Sequence, residues 1–421
     1  MNLIRIAIRL ARAWPLVIKR AIAGWRLLST VVIGVLLACA IMAGTVIYFD
    51  ALKELALKSA LDQLNTNATN IVVKSDRGPT TRTEAASVTR VMNEEIDRRT
   101  AWLLKDRVSG VKSATFFVSE LGQEATAGVD NNRAYFFHVP TFDEHITILP
   151  GGRVPATQPV NAVGEPLTLE VLAPVEAAES FGVGVDSQLS TVPYWSDALP
   201  HVRVKIVGVY ARNDPTDQFW YLEDRILRAS TSGSFTTIPF QLPEEVYFDV
   251  LGAGFKQMDS TYGWLLIVDP DKLNAGNATF ARASIESMRR RLSATLFSYR
   301  QITSLDDTLE EYDKRLFFSK LPMFIILVLI SVVILYYVVT MSSLLVEQQR
   351  SDIVLLRSRG STSAQILAVF VLEGATIAVL AVVVAPILAA VVISLLGYTP
   401  AFSDLSGNSR LDVSLSVGAY L

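Results

Sequence analysis

The chain has 421 residues, 51% of them hydrophobic and only 19% charged, with a formal net charge of −3. Soluble domains carry about 25% charge, and here the deficit is concentrated in three long apolar stretches. A balance this close to neutral creates no field that recruits nucleic acid or acidic substrates, and a single cysteine, Cys39, excludes a disulfide framework and a cysteine zinc site.

Residues 1–26 form a basic arm. Arg5, Arg9, Arg12, Lys19, Arg20 and Arg26 stand there without one acid. Arg5, Arg9 and Arg12 share a helical face beside Ile4, Ile8 and Ala11, the pattern of a helix lying among lipid headgroups, so membrane lipid is an expected partner. By the positive-inside rule this end is cytoplasmic. Residues 27–48 are the first span, because about 20 apolar residues at 1.5 Å each cross a hydrocarbon layer about 30 Å thick. The run is too long for a signal peptide, and no Ala-x-Ala site closes it. Cys39 reads as a small residue packed in that helix. Gly34 and Ala38, and likewise Ala40 and Gly44, are spaced so that a neighbouring helix can approach closely.

Residues 49–320 then lie outside the cell and read as an α+β domain with helical stalks, large enough for its own core and for two lobes. Residues 50–63 extend the first span outward. Residues 83–108 are rich in helix formers and predict a helix. Strand-type runs follow at 114–120, 133–140, 146–149, 167–172, 202–211 and 264–268, with a turn at Pro150-Gly151-Gly152. Asp269-Pro270-Asp271 starts a further helix that runs through Arg289, Arg290 and Arg291, and residues 303–320 form an amphipathic helix feeding the second span. No catalytic signature emerges. His138, His145 and His201 match no zinc spacing, and Ser180-Phe181-Gly182-Val183-Gly184 places no serine between glycines. Trp195, Trp220, Tyr221 and Trp264 read as core or strand-edge packing ahead of a binding groove.

Residues 321–346 are the second span, 347–365 a cytoplasmic loop, and 366–396 the third span, in which Pro386 predicts a tilt or kink. Glu373 is an acid at membrane depth, placed to pair with Arg357 or Arg359 near the inner interface. The tail, residues 397–421, falls outside again and reads as stopping before a further span. Within the loop, Ile353, Val354, Leu355 and Leu356 make one apolar side of a short helix, while Arg350, Arg357 and Arg359 are polar. Gly360 ends that helix as a C-cap, and Ser361 or Thr362 caps the next one.

On these residues the chain resembles the FtsX/MacB-type, or FtsX-like, ABC transporter permeases. Their loop runs from Glu through Arg, an acid followed by Ile, a Leu-Arg pair and Gly-Ala to an Ile, before an apolar run that opens with Glu. Glu347, Arg350, Ile353, Leu356, Arg357, Gly360, Ile366 and Glu373 stand at the corresponding places. Asp352 replaces the usual Glu and Ser361 the usual Ala, and neither changes the pattern of charge or the small-residue turn. The order of one span, a large outside domain and two further spans also fits, and residues 148–155 (ILPGGRVP) resemble a Gly-Arg turn of the family's outside domain, the MacB-like periplasmic domain.

The resemblance implies a multi-pass protein of the cell membrane (the plasma or inner membrane) acting as the permease subunit of an ABC transporter. It implies no cofactor held by this chain. The sequence contains no Gly-x-x-x-x-Gly-Lys-Ser/Thr, so ATP and Mg²⁺ belong to a separate ABC-type ATPase subunit. Glu347, Arg350, Ile353, Leu356, Arg357, Arg359 and Gly360 are the implied contact with that ATPase, with Glu373 as the intramembrane acid. A second permease unit is implied too, as a homodimer or a fused repeat. The competing reading is a membrane receptor with an outside sensor domain. The short inner loop leaves no room in it for a signalling module.

Overall fold

The computed structural model describes residues 25–121, 132–159, 167–195, 202–222, 230–232, 235–348, 350–358, 360, 362–396 and 398–399. Residues 1–24 of the basic arm, the tail beyond Thr399, His201, Arg359 and Ser361 lie outside them. The chain divides into two compact units, one of residues 1–60 and 311–421, the other of residues 61–310.

A helix from Trp25 to Asp62 (α1) opens the described chain. Its 38 residues span about 57 Å, so it takes in both the first apolar run and the helical extension expected after it. Strand Ile71–Gly78 (β1) follows, then helix Arg82–Arg99 (α2) and strand Leu104–Ser113 (β2). The helix expected over 83–108 therefore ends earlier. Thr100 closes it with its N–H on the Ile96 carbonyl, and Ala101–Leu103 makes a 3₁₀ turn. Lys105, Asp106 and Arg107 favour a helix locally, but residues 104–113 pair along their length with strand Ser260–Val268, and that pairing overrides propensity.

Next come strands Phe116–Glu120 (β3), Arg133–His138 (β4), Ile146–Ile148 (β5) and Thr168–Pro174 (β6), a short helix Val175–Phe181 (α3), then Gln188–Pro193 (β7), Val202–Arg212 (β8), Ser230–Ser232 (β9) and Phe235–Gln241 (β10). Strand Ser260–Val268 is β11. The helix expected from Asp269 begins later. Pro270–Lys272 is a single 3₁₀ turn held by the Asp269 side chain, and helix Ala278–Ser293 (α4) starts after an Asn274–Asn277 turn whose side chains bond each other's backbone N–H. Strand Tyr299–Ile302 (β12) completes the sheet.

Two lobes share this sheet. Strands β12, β1, β11 and β2 are neighbours in that order, all antiparallel. With α2 and α4 as crossovers they form a split β-α-β unit. Met92 and Ile96 of α2 and Ile285 and Met288 of α4 are fully buried, and the two helices pack together. Between β2 and β11 the chain leaves to build the second lobe. There β4, β3, β7, β8, β6 and β10 follow one another, and a parallel β10–β4 pairing closes them into a ring. Phe116, Phe136 and Phe240 pack in one cluster, with centroids 5.1 Å apart for the first pair and 6.0 Å for the second. The neighbouring Phe137 points to the other face and joins a core with Phe142, Tyr210, Trp220 and Leu265. Strand β4 is thus buried on both faces, and it ties the ring to the first lobe through β2.

The remaining helices belong to the unit of residues 1–60 and 311–421. Leu305–Gln348 (α5) is a continuous helix of 44 residues that carries Pro322 inside it. Arg350–Ser358 (α6) is short, and Ser363–Leu396 (α7) runs unbroken through Pro386. Helices α1, α5 and α7 are each long and apolar enough to cross a membrane, so this is a multi-pass membrane protein with a sheet-rich domain between its first two spans.

Candidate functional site

Helix α6 lies in the chain between two membrane-length helices, and its C-terminal end is fixed by specific chemistry. Gly360 adopts φ +87° and donates its N–H to the Arg357 carbonyl at 3.0 Å. A Cβ there would meet nothing within 4 Å, so glycine is required by conformation, not by space. Thr362 then starts α7. Its N–H donates to Gln365 Oε1 at 3.0 Å, and the Gln365 N–H returns to Thr362 Oγ1 at 3.4 Å, a reciprocal capping box. Thr362 performs the expected capping role.

The candidate contact residues divide as follows. Glu347 is exposed near the end of α5, Arg350 is exposed at the start of α6, and Arg357 is exposed and donates to Ser363 Oγ at 2.9 Å. Ile353 is half-buried. Leu356 lies within α6, and Arg359 is outside the described residues. Of the apolar residues expected on α6, Val354 is 62% exposed and Leu355 58%.

Glu373 lies about 15 Å along α7 and is buried, at 6% exposure. Its carbonyl accepts Thr376 Oγ1 at 2.6 Å. Further along α7, Ala381, Ala385, Ala389 and Ile393 are buried at every fourth position, and Ala389 and Ile393 pack with Ala43 and Ile47 of α1. The small residues of α1 have different uses. A Cβ on Gly34 would lie 1.8 Å from the Tyr337 hydroxyl of α5, whereas one on Gly44 would sit 3.7 Å from Ala389, at ordinary contact distance. Only Gly34 is demanded by close approach.

In the sheet-rich domain, His138 Nδ1 donates to the Leu242 carbonyl at 3.1 Å, and burial pulls the pKa of its ring below the usual histidine value. His145 contacts Asp217 at 2.9 Å and stacks on Phe219. Among the described residues no three His, Cys, Asp or Glu side chains are grouped to hold a metal ion. The Gly-Arg turn is a structural clamp. Gly151 has φ +88°, and a Cβ on Gly152 would lie 2.9 Å from the Gly208 Cα, so two backbones cross here. Arg153 then donates both terminal nitrogens to the buried Glu170, which also accepts the Ala156 N–H at 3.0 Å. The hydrogen bonds from Arg153 hold the Glu170 carboxyl below the usual carboxylate range. Glu170, 17 residues further on in the next strand, β6, was not legible as its partner.

Residues 324–420 match the family described as FtsX-like permease C-terminal. That stretch takes in most of α5, all of α6 and α7, and the residues beyond them. No curated protein matches the chain.

Proposed function

We propose that this chain, a member of the FtsX-like permease family by its C-terminal domain, transmits the ATP-driven motion of a separate ATPase subunit to its own outside domain. A permease of the ABC-type transporter family has this task because it carries no ATP site of its own. In this reading α6 is the contact with the ATPase on the cytoplasmic face, where the positive-inside rule puts it. Two states of the ATPase bias two states of the helical unit, and the outside domain reads them in export, in lipid or lipoprotein handling, or in regulation. A second permease unit and membrane lipid are its further partners.

The observation that carries this reading is the exposure of Val354 and Leu355 on α6, flanked by the exposed Arg350 and Arg357. A short helix with a glycine C-cap and apolar side chains held outward is built to be covered, since apolar anchors with a polar rim are how small interfaces gain their affinity. Glu347, Ile353, Leu356, Arg359 and Gly360 complete the surface in this proposal, and Glu373 anchors α7 near it. The test is ATP hydrolysis by the reconstituted pair. Arg357→Glu with Leu356→Asp should cut stimulated hydrolysis at least tenfold without loss of membrane insertion. Unchanged hydrolysis would remove α6 from the coupling path.

A further inference from the structure

The sheet-rich domain holds a cavity of about 150 Å³ where the split β-α-β lobe meets the segment after the ring. Drug-sized ligands need about 300 Å³ or more, so this space suits a group the size of one side chain. One wall is aromatic. Tyr262 and Trp264 of β11 stack at 17° with centroids 6.0 Å apart, and Phe248 faces the same space. The polar residues of the lining are Glu244, His138, Thr89 and Ser109.

The hydrogen bonds fix what this lining offers. The Leu242 carbonyl can only accept, so His138 carries its proton on Nδ1, and Nε2 is left as an acceptor in the neutral ring. Arg82, the cation bound to Glu244, is committed, and it also lies over the Phe248 ring at 5.9 Å, which leaves Tyr262 and Trp264 as the free aromatic wall. It grips Asp249 through Nε and one terminal nitrogen and reaches Glu244 with the other at 2.9 Å. Two carboxylates thus share one guanidinium, and Glu245 lies beside them. The cavity has an aromatic wall, acceptors and an excess of negative charge. An anion would be repelled, and an uncharged group would leave the surplus of carboxylates over Arg82 unanswered.

The segment carrying Glu244 and Phe248 is also held in place. Val246–Gly252 is a π-helical turn, a rare form that concentrates at functional sites. A Cβ on Gly252 would lie 2.1 Å from the Thr80 carbonyl, and the Tyr247 and Ser260 hydroxyls bond at 2.9 Å. The turn is therefore pinned to the split β-α-β lobe, and the cavity exists before any ligand arrives.

We infer that this cavity binds a protonated amine or guanidinium on a slim apolar stem, held by cation–π contact and by Glu244. The same chemistry comes from two sources, a free small amine or the Lys or Arg side chain of a peptide. The inference stands apart from ATPase coupling, and its failure would leave that reading intact.

The test is titration calorimetry on the full chain in detergent, with n-butylammonium as probe and n-butanol as its uncharged counterpart. A lysine-containing hexapeptide and its lysine-acetylated form identify the source. Butylammonium should bind saturably and butanol should not. Glu244→Gln, which leaves Arg82 its Asp249 fork, should weaken binding at least tenfold, and Thr89→Leu should abolish it by filling the space. Both variants should keep the wild-type unfolding temperature. A hexapeptide that binds more tightly than butylammonium and is lost on acetylation assigns the site to a protein partner. One that binds no tighter assigns it to a free amine. Equal binding of butanol, an unchanged affinity for Glu244→Gln, or no saturation with any probe would overturn the inference.

Discussion

Tyr336 in α5 is 74% exposed, whereas Phe136 in β4 has no exposed surface at all. The same contrast holds between the units that contain them. Helix α5 shows Phe324, Leu329, Val333 and Leu335 to its surroundings, while the sheet-rich domain encloses Phe116, Phe137, Phe240 and Leu266. In water the first arrangement would be untenable and the second necessary; in hydrocarbon the first carries no penalty, because lipid tails are as apolar as the side chains. The helical unit uses small residues and close contact to join its helices, and the domain uses volume and burial.

The largest effect that tests this contrast is the removal of one ring from each unit. Phe136→Ala should destabilise the full chain in detergent by about 3–5 kcal/mol, the usual cost of a large cavity in a packed core. Tyr336→Ala should stay within about 0.5 kcal/mol, as an outward position does. Equal losses in thermal unfolding would break the comparison.

Electrostatics sharpens it on the domain side. Glu170→Gln should cost about 1–3 kcal/mol, since Arg153 loses its charged partner. The folded carboxyl has its pKa depressed, so its contribution is present above the unfolded value of about 4.3 and is lost as pH falls through the lower folded value. Unfolding temperatures taken from pH 7 down to pH 3 should show that loss in the wild type and a flatter profile in the variant.

Close approach tests the helical side. Gly34→Leu should cost about 1–3 kcal/mol by overpacking against Tyr337, and Tyr337→Ala should restore most of it. Gly44→Ala, with ordinary contact distances, should be nearly silent. The smallest effect belongs to Gly360→Ala. A Cβ at φ +87° costs about 1 kcal/mol and should be read as faster amide exchange in α6.

The two units also differ in how legible they are. The spans follow from composition alone, and Gly360 and Thr362 follow from cap chemistry, because each depends on residues within one turn. Strand β1 reads IVVKSDRG, with only three apolar residues at its start, and it exists because β11 and β12 pair with it on either side. Strands β7, β10 and β12 went unseen for the same reason. The ring closes through Thr237–Gln241 beside Arg133–Phe137, partners far apart in sequence that no local pattern connects. For the candidate site, the loop residues and their cap were readable, but the outward aim of Val354 and Leu355 depends on which face of α6 meets α7. Orientation across the membrane can be checked separately. In a Cys39→Ala background, Lys256→Cys should label with an impermeant reagent in intact cells, and labelling only after lysis would reverse the topology.

The account rests most heavily on α6 as an ATPase contact. The most direct measurement is affinity purification of the full chain from its native membrane in mild detergent, beside the double variant Val354→Asp, Leu355→Asp. An ATPase bearing a phosphate-binding loop should accompany the wild type and be lost from the variant, with both forms equally inserted. Recovery of no such ATPase, or its equal recovery with the variant, would contradict the account.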